Sequence, residues 1–450
     1  MTRIAPQPLA RRLLVATFAV VAAAALTVQQ AHAMKLQEIT SKGGLKAWLV
    51  EEHSVPLMAM RFVFDGGSAQ DPDGKEGLAN FISGMMDEGA GDLDAQTFQK
   101  RTEEIAMRMS FSDDKDSLYG SFETLTENRK VAVDLLKLAL NKPRFDADAV
   151  DRVRDQLLAG LAYAARDPNK VAGEQWNKIA FAGHPYGRSA SGSAASIKSI
   201  TGADLEDYRK ATFARDTLRV VIVGDITAAD AGTLIDDVFG TLPAKATLRA
   251  IPPIAVAAKA KLTIVEMPVP QSVAIFGSAG IARRDKDFMP GFVLNHILGG
   301  GGFASRLMEQ VREKRGLAYG VGSYLQPYKS TSVFMGSVAT KNEEMGQSLD
   351  VIKAELKSLA DHGPTQTELD NAKSFLVGSF ALRFDTNAKI ANQLLYFYSE
   401  GFDLDYVDKR NAEVNAVTLD DVKRVAKTLL KADDLFVTVV GQPKGLQPKG

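Results

Sequence analysis

Arg312 and Tyr319 stand seven residues apart, ten residues beyond a run of four glycines, Gly299, Gly300, Gly301 and Gly302. An arginine offers several fixed donors to a peptide carbonyl or carboxylate. A tyrosine hydroxyl can donate to the oxyanion that forms when water attacks a carbonyl. Plainer roles stay open: Arg312 sits in a charged cluster with Glu309, Glu313, Lys314 and Arg315, and Tyr319 fits the core of a strand. Consecutive glycines permit positive φ and close backbone approach. A phosphate loop does not fit, because no G-K-[ST] follows and the preceding segment reads as helix. A helix stop followed by the start of the next helix fits as well.

Metal and thiol chemistry are thinly supplied. The chain has no cysteine, which excludes thiol catalysis and cysteine ligation. Beyond residue 33 its histidines are His53, His184, His296 and His362, and neither H-x-x-E-H nor H-E-x-x-H occurs. A histidine pair on one helical face is therefore missing. His184 precedes Pro185-Tyr186-Gly187 and reads as a turn histidine bonded to nearby backbone, with a proton shuttle as its rival. His296 reads as a packed or rim residue.

The elements that position these residues recur. Thr201 to Gly224 aligns without gaps with Thr418 to Gly441 at an offset of 217. Asp204 matches Asp421, and Leu218, Val220, Ile222, Val223 and Gly224 match Leu435, Val437, Val439, Val440 and Gly441. Each copy reads as an amphipathic helix, a polar turn and a buried β-branched strand ending at glycine. A second correspondence supports duplication. Arg61 to Phe64 runs into Gly66-Gly67-Ser68, and Val273 to Phe276 runs into Gly277-Ser278, each before a polar loop and a helix. Ala47–Glu51 and Met58–Phe64 flank His53-Ser54-Val55-Pro56, which predicts a hairpin. Helices are expected over 95–106, 128–140, 147–166, 288–298, 345–361 and 366–384. Strands followed by runs of helices indicate an α+β fold of two duplicated domains, 34–241 and 262–445, joined by a Pro- and Ala-rich linker over 242–261.

Composition sets the frame. At 450 residues, with 45% apolar and 24% charged residues, the chain is an ordinary globular protein of more than one domain. Residues 1–33 carry Arg3, Arg11 and Arg12, an apolar run from Leu13 to Val28 and the site Ala31-His32-Ala33. That is the layout of a cleaved secretory signal peptide, which predicts export to the periplasm; an uncleaved anchor is the alternative, disfavoured because the apolar run is short and Ala-rich. Its removal leaves a net charge of −4, which gives no sign of nucleic-acid binding. No later stretch is long and apolar enough to cross a bilayer, so no membrane association is expected after cleavage.

The run Gly77-Leu78-Ala79-Asn80-Phe81-Ile82-Ser83-Gly84 resembles the catalytic helix of the pitrilysin/insulinase-like metallopeptidases. The resemblance covers nearly all the chain beyond residue 33. It includes His184-Pro185-Tyr186-Gly187, Gly224-Asp225 and the specific stretch Val311-Arg312-Glu313-Lys314-Arg315-Gly316-Leu317-Ala318-Tyr319. That family carries H-x-x-E-H where this chain has Asn80, Ser83 and Gly84. Its third ligand, a distant glutamate, falls by spacing on Gly160. The family's N-A-x-T strand reads Met109-Ser110-Phe111-Ser112 here, without its asparagine. An edge strand still offers main-chain hydrogen bonds to an extended peptide.

The resemblance therefore implies a non-catalytic subunit, inactive alone and without a cofactor of its own. It would work beside a similar two-domain partner that bears the zinc, the activated water and the general base. The two would close like a clam around a chamber for unstructured peptides, with Arg312 and Tyr319 reaching the substrate and Gly299 to Gly302 forming a flexible lip. The alternative is an inactive peptide-binding or structural assembly protein without a peptidase partner. A role in maturing a peptide-derived cofactor, which some relatives perform, is not distinguished by any residue.

Overall fold

The first sheet gathers six strands: β1 (Leu36–Thr40), β2 (Lys46–Glu51), β3 (Leu57–Asp65), β4 (Arg108–Asp113), β5 (Ser117–Leu125) and β6 (Arg219–Gly224). Their order is β1-β2-β6-β3-β5-β4. The computed structural model describes residues 34–256 and 261–447. The expected signal peptide, 1–33, and linker residues 257–260 lie outside the described residues. From Gln37 onward the chain forms one unit, and its mixed helices and sheets are the α+β fold expected.

The hairpin expected between β2 and β3 does not form. The two strands are separated by β6, which runs parallel to β2 with Leu49 opposite Ile222 and antiparallel to β3 with Met60 opposite Ile222. The physical reason is burial. The stretch Val220 to Gly224 is buried throughout, a pattern that demands a central position covered on both faces. Strands lie roughly 4.8 Å apart, so the short segment after Glu51 can step over one intervening strand. At the opposite side of the sheet, β4 pairs with β5 and with no other strand among the described residues. Its residues alternate, with Arg108, Ser110 and Ser112 exposed and Met109 and Phe111 half-buried, the pattern of an amphipathic edge.

The second half repeats this plan. Strands β7 (Lys261–Glu266), β8 (Gln271–Ala279), β9 (Ala318–Pro327), β10 (Ser332–Lys341) and β11 (Phe436–Gly441) lie in the order β7-β11-β8-β10-β9. This is the order β2-β6-β3-β5-β4 again. The repeat seen in the sequence occupies equivalent places. Thr201 and Thr418 each cap a helix through a reciprocal bond pair with Asp204 and Asp421, and β6 and β11 each run parallel to one neighbour and antiparallel to the other. A further correspondence escaped the sequence comparison. Phe62 faces Gly120 across the first sheet and Phe276 faces Gly336 across the second. A Cβ at either glycine would fall inside the facing ring.

Each half lends one helix to the other. Pro168–Ala180 starts with Pro168 in its first turn, after a cap in which the Asp167 side chain accepts from the Asn169 N–H. It packs on β8 and β11 of the second sheet. Asn387–Ser399, capped by Thr386, packs on β3 and β6 of the first. The exchange is held by specific contacts. Trp176 donates its indole N–H to the Phe436 carbonyl at 3.2 Å. Arg61 donates to Asn392 Oδ1 at 2.7 Å. Trp48 stacks on Tyr398 with ring centroids 4.6 Å apart. Trp176, Phe181 and Tyr186 join Val333, Met335 and Phe436 in a core of their own. The described part of the linker is docked as well: Thr247 N–H donates to Ala211 O at 2.8 Å, Ile254 N–H to Ser330 O at 3.0 Å, and Val256 is buried.

Candidate functional site

The helix that would carry a zinc motif is short, Leu78–Ser83. It enters through Gly77 at φ 92°, where a Cβ would press within 2.7 Å of Ile197. None of the three family positions offers a metal ligand. Asn80 donates its amide to Asp113 Oδ1 at 3.3 Å. The hydroxyl of the buried Ser83 donates back to the Ala79 carbonyl at 2.9 Å, closing a bond inside its own helix. Gly84 faces Val153, whose Cγ1 would stand 3.4 Å from an added Cβ. Gly160 lies seven residues beyond Val153 on the helix Ala147–Ala164, and nothing comes within 4 Å of its Cβ position. Among the described residues no group of three or more His, Asp or Glu side chains is placed to hold a metal ion. Zinc therefore does not fit these residues.

Two carboxylates sit beside this helix instead. Asp71 is buried, and its oxygens accept from the Gly77 N–H at 2.8 Å and the Ala79 N–H at 3.0 Å. Burial pushes its carboxyl up to about 7 against those two bonds. Asp113, at the end of β4, is pushed up to about 6, again by burial, with the Asn80 amide pulling the other way. Sequence reasoning missed both. Asp113 follows directly on the quoted strand Met109–Ser112, but its burial is a tertiary fact. Nearby, Lys115 donates to the Tyr186 carbonyl at 2.7 Å, and burial lowers its pKa to about 8.

In the second half Arg312 and Tyr319 come together in one open cleft of about 380 Å³, with Gln271, Leu317, Thr340 and Lys341. Arg312 lies in a π-helical turn, Met308–Glu313, a distortion often found at functional sites. Its guanidinium stacks 4.6 Å above the ring of Phe303 and reaches Glu313 Oε1 at 3.4 Å. Tyr319 is the second residue of the edge strand β9, is 85% exposed, and its hydroxyl makes no hydrogen bond among the described residues. It is therefore not a core residue. Phe303 is 70% exposed. An aromatic directly after the glycine run was a readable signal, but its exposure was not.

The four glycines do not act as one lip. Gly299 is buried and packs against β9, where a Cβ would stand 2.5 Å from Ser323 Oγ. Gly300 and Gly301 turn back on Asn295 and His296. Only Gly302 takes the left-handed conformation, at φ 58°, with open space around it. The reason is that the helix Phe288–Asn295 continues into a π-helical turn, His296–Gly300, which consumes the first two glycines. The segment is then fastened by Arg306, whose guanidinium grips Glu368 at 2.5 and 2.8 Å. Glu368 also caps its own helix, Gln366–Gly378, together with Thr365. Against the cost of burial, Arg306 and Thr365 hold the Glu368 carboxyl at about 2.

His184 and His296 make structural contacts. His184 Nδ1 accepts from the Tyr186 N–H at 3.1 Å, and Nε2–H donates to the Pro252 carbonyl at 2.9 Å, tying the linker to the turn. His296 stacks on Phe375 with centroids 5.0 Å apart.

The profile of the insulinase family (peptidase family M16) matches residues 47–194, and that of the peptidase M16 inactive domain matches residues 199–376. A non-peptidase homologue from Helicobacter pylori is 27% identical over 416 residues, covering 92% of this chain and 96% of its own. The mitochondrial-processing peptidase subunit beta of Lentinula edodes is 24% identical, with 86% of this chain and 85% of its own covered. A crystal structure of a peptidase M16 inactive domain from Pseudomonas fluorescens superposes with a TM-score of 0.86 at 31% identity, over 92% of this chain and 99% of that one.

Proposed function

Since this chain belongs to peptidase family M16 and does so as a non-catalytic member, we propose that it is the substrate-gripping subunit of a periplasmic heterodimeric zinc peptidase. The observation that carries the proposal is a split inventory. Asn80, Ser83, Gly84 and Gly160 cannot hold or use zinc, while Arg312 and Tyr319 share one solvent-facing cleft at an edge strand.

In this reading the partner subunit brings the zinc and its water, and this chain binds and orients the peptide. The guanidinium of Arg312, already held flat by Phe303, takes a peptide carbonyl or carboxylate. The Tyr319 hydroxyl donates where negative charge develops at the scissile carbonyl. Separating nucleophile and donor on two chains is chemically sound, because catalysis needs both only in the assembled transition state. Export rests on the layout of residues 1–33. The similarity to a processing-peptidase subunit supports the pairing with a homologous partner.

The test is to purify this chain from residue 34, a homologue bearing H-x-x-E-H encoded beside it, and their mixture, and to assay an unstructured peptide with zinc. The proposal expects activity in the mixture and little in either chain alone. Full activity of the zinc-motif chain by itself, unchanged by this one, would overturn it. Peptide binding by this chain with no enhancement of any peptidase would favour the assembly-protein alternative.

A further inference from the structure

Among the described residues three arginines are buried: Arg61, Arg209 and Arg410. Two have a carboxylate in contact, Arg61 with Glu123 and Arg209 with Glu206. Arg410 has none within ion-pair distance among the described residues. It is satisfied by the Leu376 carbonyl at 2.7 Å, the Asn411 amide oxygen at 2.9 Å and the ring face of Phe380 at 4.6 Å. Carbonyl and π contacts hold a buried guanidinium but leave its charge uncompensated.

Arg410 lines a cleft of about 690 Å³ between the helices Phe288–Asn295 and Asn387–Ser399 and the end of β9. The wall of this cleft carries four cationic side chains, Arg283, Arg383, Lys389 and Arg410, and no Asp or Glu. Lys389 is paired with Asp385 outside the wall. Arg283 is held by the hydroxyls of Tyr396 at 3.1 Å and Tyr406 at 3.3 Å, not by an acid. Arg383 is exposed and makes no hydrogen bond or ion pair among the described residues. The rest of the wall is mostly apolar or aromatic, with Phe288, Phe292, Leu325, Phe380 and Phe397. The charges of Arg283 and Arg383 act on Arg410, and the acids that oppose them, Glu413 at Arg410 and Glu400 at Arg283, lie outside the wall and form no ion pair with these guanidinium groups. A mostly apolar wall with a few convergent polar groups is the build of a small-molecule site, and the volume is in the range of such sites.

We propose that this cleft binds a small amphipathic anion, a carboxylate on an apolar chain, with its headgroup on Arg383 and Arg410 and its chain along Phe288, Phe292 and Phe380. A carboxylate accepts two parallel N–H bonds from a guanidinium, which a hydroxyl or amide headgroup cannot match. The inference is independent of the peptidase reading, because it concerns another cleft and its readout is binding alone.

The experiment is isothermal titration calorimetry of the chain from residue 34 with decanoate, octanoate, decanol and acetate, each below its aggregation threshold. Decanoate is expected to bind with one site per chain, roughly tenfold tighter than octanoate for its two extra methylenes, and at least tenfold tighter than decanol. Arg383→Gln, at an exposed and unpaired position, is expected to weaken decanoate at least tenfold and to leave the melting temperature of the free protein unchanged. Raising of the melting temperature by decanoate in the wild type but not in this variant is the second expected readout. Equal binding of decanoate and decanol, several sites per chain, undiminished binding by Arg383→Gln, or no binding at all would each overturn the proposal.

Discussion

The indole N–H of Trp176 donates to the carbonyl of Phe436, 260 residues further along the chain, at 3.2 Å. The bond pins a helix of the first half to β11, an interior strand of the second sheet. With Asn387–Ser399 lent in the opposite direction, the two halves are fastened twice. Trp176→Ala is expected to cost about 3–5 kcal/mol. Because the exchanged helices interlock the cores, urea unfolding followed by fluorescence and by circular dichroism should give one coincident transition in the wild type. Two separated wild-type transitions would contradict that coupling.

The glycines opposite Phe62 and Phe276 are packing requirements, not turns. Neither Gly120 nor Gly336 has positive φ, yet a methyl group at either would overlap the facing ring. Gly120→Ala and Gly336→Ala should each destabilise by about 1–3 kcal/mol through overpacking. The two costs should match within error if the repeats are equivalent. A neutral effect at one site alone would show that its phenylalanine can swing away.

Tyr319 is expected to matter to turnover and not to folding. Tyr319→Phe should leave the melting temperature unchanged, since the hydroxyl has no bond to lose. In the assembled peptidase it should lower kcat by up to about 10². Arg312→Ala should lower turnover as well, without dissociating the complex. Unchanged kinetics for both variants would remove this cleft from the mechanism.

Restoring the helix motif alone should not restore zinc. The triple change Asn80→His, Ser83→Glu, Gly84→His supplies two imidazoles but leaves Gly160 without a carboxylate, and a tetrahedral protein site needs a third ligand. A Cβ at position 84 would meet Val153 Cγ1 at 3.4 Å, an ordinary contact, so the missing third ligand and not a clash is the obstacle. Metal analysis after dialysis should find well under one zinc per chain. Stoichiometric zinc would mean that another side chain completes the site.

Asp71 makes stability fall as pH rises. Its carboxyl is held at about 7 in the folded protein against 3.8 ordinarily. Below about pH 4 both states keep the proton. Between 4 and 7 only the folded state does, so ionisation increasingly favours the unfolded chain. The loss across that window is at most on the order of 4 kcal/mol. Glu368 acts oppositely and in a lower window: its stabilisation is complete above pH 4.5 and is lost as pH falls through about 2. Asp71→Asn should flatten the dependence of unfolding free energy on pH between 5 and 7.5. An unaltered slope would assign the dependence elsewhere.

Much of this was legible in the residues. The missing zinc motif is a matter of identity at Asn80, Ser83 and Gly84, and needs no coordinates. The duplication shows in Thr201 to Gly224 and Thr418 to Gly441, because capping threonines and buried β-branched strands are local patterns. The long helices fell close to where periodicity placed them, for the same reason. Tertiary structure alone decided that β6 lies between β2 and β3, since nothing in a strand's own sequence names its neighbour. It alone decided that Pro168–Ala180 and Asn387–Ser399 change places, that Gly299 is buried while Gly302 is free, and that Arg410 has no acid within ion-pair distance among the described residues. Each depends on groups far apart in the chain, and burial, pairing and charge compensation exist only once those groups meet.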